Sequence, residues 1–207
     1  MLSKIDTQIR NIIDEARLLL QKNGSDVSDS DIGKELQRIF AYEIPKQVED
    51  FKPSESPLLK FTDSALVNGN KKTNDFLELL KPVMSYLPWK YNYEEREDKP
   101  ELGARIGWAE LIGPEAPYKT EEFCLGFTLI APDTVYPEHN HPATELYHVL
   151  SGNAFWTLDG NRKKRTPGEL ILHPSMHSHL METKEETLLA LYTWTGSDVV
   201  TLSEYID

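Results

Sequence analysis

After residue 100 the chain breaks into short apolar runs divided by glycine and proline: ARIGWAELIG, FCLGFTLIAP, ELYHVLSG, NAFWTLDG, GELILHP and LLALYTWTG. Many short strands with such punctuation point to a barrel or a sandwich. The first hundred residues have another texture. Ile5, Ile9, Ile12, Ile13, Ala16, Leu19 and Leu20 share one helical stripe, and Asn23-Gly24 supplies its stop. A second helical pattern follows the capping cluster Ser28 to Asp31, with Ile32, Leu36, Ile39 and Phe40 in register until Pro45 and the Lys52-Pro53 turn. A third opens at Thr73-Asn74 and carries Phe76, Leu79, Leu80 and Val83.

The charged stretch EEREDKPE separates these textures. The expected organisation is therefore a helical N-terminal region, residues 1–100, and a β-barrel domain, residues 101–207, with no internal repeat. At 207 residues and 39% hydrophobic content, one globular domain with an appended element can bury a core.

No apolar run reaches the roughly 18 residues of a membrane span, and the opening MLSKIDTQIRNIIDEARLLLQ interrupts its apolar residues with charges. A cytoplasmic protein is expected. A net charge of −12 gives neither nucleic acid nor an anionic membrane a reason to bind, and suits a neutral or cationic small ligand. Cys124, the single cysteine, excludes an internal disulfide and a thiolate metal site, and reads as a buried structural thiol. A monomer or homodimer is expected.

All six histidines fall between positions 139 and 179, in the strand-rich half. The tightest segment, EHNHPATELYHVLSG, reads His139-x-His141, then Glu145, then Gly152. Imidazole and carboxylate are the ligands that a hard-to-borderline divalent metal takes. His139, His141, Glu145 and Tyr147 have one parity, so strand alternation can turn all four into one cavity. Pro142 interrupts the count, which leaves it firmest for Glu145 and Tyr147. His148 faces the other way and reads as structural.

The second segment, TPGELILHPSMHSH, has a turn at Pro167-Gly168, a strand, and a proline before a histidine pair. Together the two segments resemble the paired motifs of the cupin superfamily, in which the last metal histidine follows five residues after the proline. Counted from Pro174, that histidine is His179. His177 shares its parity and stays open as an alternative, while His173 reads as a supporting group. The implied fold is a mainly β, single-domain cupin, a double-stranded β-helix or jelly-roll barrel with an α-helical N-terminal extension. The implied cofactor is one divalent ion, zinc, iron, manganese or nickel, on His139, His141, Glu145 and His179.

Aromatic residues surround this constellation. Tyr136 precedes the first motif, Tyr192 and Trp194 share a strand face, and one of Phe155 and Trp156 must face inward. Such rings are either plain core or a pocket whose faces attract a ligand cation.

The segments VYPEHNHPATELYHVLSG, PGELILHPSMHSH and YTW resemble the cupin dimethylsulfoniopropionate (DMSP) lyases, most closely the Q type, over about residues 100 to 200. The resemblance implies cleavage of DMSP to dimethyl sulfide and acrylate without an organic cofactor. It implies His141, Glu145 and His179 as metal ligands, His139 in the first histidine position of the motif, Tyr147 as the base, and Tyr136 and Trp194 as substrate-positioning aromatics. Other metal-dependent cupin enzymes, a dioxygenase or an isomerase, and a non-catalytic cupin that binds a small zwitterion are the rival readings.

Overall fold

Side chains alternate along a strand, and in this protein both sides of the larger sheet find something to bury against. The computed structural model describes residues 3–25, 29–93 and 97–206; Ser28 of the expected cap and Glu94, Glu95 and Arg96 of the charged stretch lie outside them. In chain order the helices are α1 (Lys4–Gly24), α2 (Ser30–Ala41) and α3 (Asn74–Leu80). The strands are β1 (Trp89–Lys90), β2 (Ile106–Gly113), β3 (Tyr118–Lys119), β4 (Cys124–Ile130), β5 (Val135–Asn140), β6 (Thr144–Ser151), β7 (Ala154–Leu158), β8 (Asn161–Arg165), β9 (Leu170–His173), β10 (His179–Thr183), β11 (Leu188–Thr195) and β12 (Glu204–Tyr205).

A seven-stranded sheet runs β1-β2-β4-β11-β6-β9, with β3 paired to β2, and a five-stranded sheet runs β12-β5-β10-β7-β8. All pairings within them are antiparallel except β2 with β3. This is the two-sheet barrel that the punctuated runs foretold, and β1, from before residue 100, forms one edge of it.

On β6 and β11, Tyr147, Val149, Ala190 and Tyr192 belong to the core between the sheets, with Trp156, Ile171 and Met181. Their neighbours Leu146, Leu150, Leu189 and Leu191 point the other way, into a core shared with the helices. That explains why ELYHVLSG and LLALYTWTG read as unbroken apolar runs: both faces of these strands are covered.

The helices start where their chemistry directs. Ser3 and Asp6 form a reciprocal capping box on α1, and the Asp29 carboxylate accepts from the Asp31 and Ile32 N–H groups of α2. The third element departs from the expected pattern. Pro82 follows α3 and the chain tightens into a 3-10 turn through Tyr86, so Leu77 is buried and Leu79 is 40% exposed. Phe76 of α3 lies 6.2 Å from Phe127 of β4, ring centre to ring centre.

Two buried polar links join helices to barrel. Asn23 Nδ2 of α1 donates to His148 Nε2 at 3.0 Å, and the Thr195 hydroxyl of β11 donates to the Glu35 carboxylate of α2. His148 therefore has the structural role that its parity suggested; burial pulls its pKa down to about 4, which keeps it neutral. Cys124 is buried and unbonded to another cysteine, and burial followed by its neighbour Glu110 pushes the thiol up. No helix among the described residues is long and apolar enough to cross a membrane.

Candidate active site

Three of the predicted ligands converge. One ligand atom each from His141, Glu145 and His179 lies within 4.8 Å of the others, and all three side chains are buried. Glu145 comes from β6 in the larger sheet, His141 from the link between β5 and β6, and His179 from the first position of β10 in the smaller sheet. The loop before β10 clasps this link: the Met176 N–H donates to the His141 carbonyl at 2.9 Å, with Met176 in the left-handed region at φ 64°. The glycine that closes the first motif, Gly152, has φ 77°, and a Cβ there would fall 2.2 Å from the Thr187 carbonyl oxygen.

Each imidazole has one nitrogen engaged by backbone. Nδ1 of His141 donates to the Ala143 carbonyl at 3.0 Å, Nδ1 of His179 to the His177 carbonyl at 3.0 Å, and Nδ1 of His139 to the Pro137 carbonyl at 2.7 Å. With Nδ1 carrying the proton, Nε2 of the neutral ring is a lone pair aimed inward. His141 Nε2 lies 3.1 Å from Glu145 Oε2, and His179 Nε2, buried and without a hydrogen-bond partner, lies 3.5 Å from the same oxygen. Lone pairs facing a carboxylate at that range need a positive charge among them. The donor set, two Nε2 atoms and one carboxylate oxygen, fits a divalent metal ion.

His139 stands beside this trio. It stacks on Tyr136 with ring centres 4.2 Å apart and turns an edge to His179 at 4.1 Å. Burial, then the neighbouring His179, hold it neutral, well below the ordinary histidine range. Tyr136 and His139 differ in parity yet face the same way, because the β5–β10 register slips between them, in the stretch that contains Pro137.

Glu145 is wrapped on every side. Trp194 Nε1 donates to its Oε1 at 2.8 Å, and His173 Nδ1 contacts its Oε2 at 3.1 Å. His173 Nε2 in turn accepts from Trp156 Nε1 at 2.9 Å, which makes Nδ1 the protonated, donating nitrogen. Burial holds His173 down at about 4, so this relay is neutral. Trp156 is thus the inward member of its pair, while Phe155 lies under the Arg162 guanidinium at 3.7 Å. Hydrogen-bonded supports of this kind are typically worth 10- to 100-fold in metal affinity. Trp156→Phe is accordingly expected to weaken metal retention against a chelator by about that factor, with the fold checked by its melting curve. Unchanged retention would dismiss the relay.

His177 is outside the site. It is exposed and pairs with Asp159 Oδ2 at 2.5 Å.

Above the trio opens a cavity of about 230 Å³. Tyr136, Tyr147, Tyr192 and Trp194 all line it, as the sequence suggested, and Trp194 lies over His141 with ring centres 4.4 Å apart. Tyr147 hydroxyl lies 3.4 Å from Thr128 Oγ1. Burial, then the Glu145 charge, hold this phenol well above its ordinary value. Among the wall residues that sequence reasoning missed are Trp108, Glu110 and Tyr93. Trp108 and Glu110 share parity on β2 and could have been found by counting; Tyr93, whose hydroxyl is 2.9 Å from that of Tyr136, comes from a segment with no periodic signal.

A putative DMSP lyase DddL from Cereibacter sphaeroides is 29% identical over 186 residues, which is 86% of this chain and 78% of that protein. The DMSP lyase DddQ from Ruegeria pomeroyi is 29% identical over 109 residues, 52% of this chain and 54% of that one. The crystal structure of the Ruegeria pomeroyi enzyme covers 97% of this chain and 96% of its own, with a TM-score of 0.78 at 21% identity, and shares the fold. The family model described as dimethylsulfoniopropionate lyase matches residues 33–190, from α2 to the middle of β11, and the chain belongs to that family.

Proposed function

We propose that the protein cleaves DMSP to dimethyl sulfide and acrylate by β-elimination, in the cavity that His141 and Glu145 of the ligand trio line. The observation that carries this reading is a buried trio of inward-facing metal-type donors with a phenol, Tyr147, two residues along the same strand face. His141, Glu145 and His179 would hold the divalent ion, which would supply Lewis-acid polarisation for a substrate carboxylate. His139 completes the imidazole lining beside it.

The rest is work for the chain's own side chains. The rings of Tyr192 and Trp194 line the cavity and offer π faces to a sulfonium cation. Tyr147 is the base. It removes a proton from the carbon beside the carboxylate; that C–H electron pair becomes the new carbon–carbon double bond, the carbon–sulfur bond breaks, and dimethyl sulfide leaves with the sulfur pair. Acrylate keeps the carboxylate and the phenol keeps the proton. With the cavity free of cations, burial and the Glu145 charge keep Tyr147 protonated. Positive charge beside Glu145 opposes the second of these causes, which ties the base to the ligand trio.

Proton transfer by a positioned base is worth about 10²- to 10⁴-fold. Tyr147→Phe is therefore expected to lower kcat at least about 100-fold while the protein keeps its metal. Near-normal turnover in that variant would remove Tyr147 from the mechanism. The reaction itself is tested by supplying DMSP to protein stripped and reloaded with zinc, iron, manganese or nickel. Metal-dependent dimethyl sulfide and acrylate in equal amounts is the expected result. Tight binding of DMSP without product would leave a binding protein, and oxygen consumption would point to a dioxygenase.

A further inference from the structure

We propose that Glu110 is the counter-charge for the cationic end of the substrate and makes the cavity selective for ligands that are anionic at one end and cationic at the other. This rests on the lyase reading above and extends it to a residue outside the histidine motifs.

The placement follows from register. Across the larger sheet, Glu110 on β2 pairs with Gly126 on β4, Gly126 with Tyr192 on β11, and Tyr192 with Tyr147 on β6. Glu110, Tyr192 and Tyr147 thus occupy one inward row, and all three line the cavity. Gly126 is the gap in that row. A Cβ there would fall 2.8 Å from Tyr192 Cε1 and 2.5 Å from the Ala109 carbonyl oxygen, so the tyrosine ring occupies the space over the glycine, on the Glu110 side. A cation on that ring would have the Glu110 carboxylate as its neighbour.

The charges of the cavity are sorted by end. His139, His141 and Glu145 line the β6 end, where a metal held by the trio would add positive charge. At the β2 end stand Glu110, Glu115 and Lys90. Lys90 Nζ is committed to Glu115 Oε2 at 2.9 Å, and the Glu115 backbone N–H reaches Glu110 Oε1 at 3.4 Å. Among the residues that line the cavity, one ammonium stands against two carboxylates; Lys119, which also acts on Glu115, lies outside that lining. Burial raises the Glu110 carboxyl above its ordinary range, and Lys90 partly opposes this. A carboxylate so placed gains more from a bound cation than an exposed one does. The polarity therefore matches a zwitterion whose carboxylate points to the trio and whose sulfonium points to β2.

The test uses metal-loaded full-length enzyme and two ligands that cannot eliminate dimethyl sulfide: trimethylammonio-propionate, and its carbon isostere with a tert-butyl group in place of the trimethylammonium. Wild type is expected to bind the cationic ligand at least about tenfold more tightly. Glu110→Gln should reduce that ratio roughly tenfold, to near one, through loss of the cationic ligand alone, the size of a single partly screened charge contact. Glu110→Asp should restore part of it, and for DMSP the loss should fall on KM more than on kcat. A Gln variant that keeps the wild-type ratio, or that loses both ligands equally, overturns the proposal while leaving the lyase reading intact. A wild-type enzyme that neither prefers the cation nor releases dimethyl sulfide overturns both.

Discussion

Alanine at His141 and His179 together is expected to abolish metal uptake and to reduce dimethyl sulfide release to the rate seen without enzyme. The two rings supply two of the three converging donor atoms, one from the link between β5 and β6 and one from β10, and Glu145 alone cannot hold a divalent ion against solvent. The barrel itself should survive, because neither side chain belongs to the two apolar core clusters, and removing lone pairs aimed at a carboxylate relieves an unfavourable contact in the metal-free protein. A melting curve near that of metal-free wild type, with elemental analysis showing no bound ion, is the expected pair of results. Full occupancy in the double variant would move the metal elsewhere and take the lyase mechanism with it.

Much of this centre was legible because its chemistry is local in sequence. His139, His141 and Glu145 are neighbours by number, Tyr147 follows Glu145 at strand spacing, and all of them reach the cavity. Parity also assigned His148 to the outer face, where Asn23 meets it. The limits are equally physical. Tyr136 reaches His139 only because the β5–β10 register slips between them, and no alternation count contains a bulge. His177 and His179 were indistinguishable by parity; the loop turns one to Asp159 at the surface and the other into the core. The bonds that surround Glu145 run from Trp156 through His173 and from Trp194, residues that come together only when β7, β9 and β11 assemble around β6.

The helices pose the same problem on a larger scale. Their stripes were visible, but what they cover was not, since a strand buried on both faces looks the same in sequence whether a second sheet or a helix lies over it. Leu58, from the segment between α2 and α3, reaches within 2.4 Å of where a Cβ on Gly107 of β2 would stand, so even the absence of a side chain on the barrel wall answers to the N-terminal half. The family match, which begins at residue 33, takes in this region too.

Expression of residues 101–207 alone is accordingly expected to give insoluble, inactive protein. The truncation uncovers Leu111, Leu125, Phe127, Leu129, Leu146, Leu150, Leu189 and Leu191, all fully buried in the core shared with the helices. At about 1.5–3 kcal/mol for each large apolar side chain, the loss is on the order of 12 kcal/mol or more, against a total stability of about 5–15 kcal/mol for a typical domain. It also removes β1 from the sheet edge and leaves His148 and Thr195 without Asn23 and Glu35. Supplying residues 1–100 as a separate chain during refolding should recover part of the activity, because the missing cover is a packed surface and needs no covalent link. A truncated barrel that stays soluble, binds metal and turns over DMSP would show that the outer face does not need the helices.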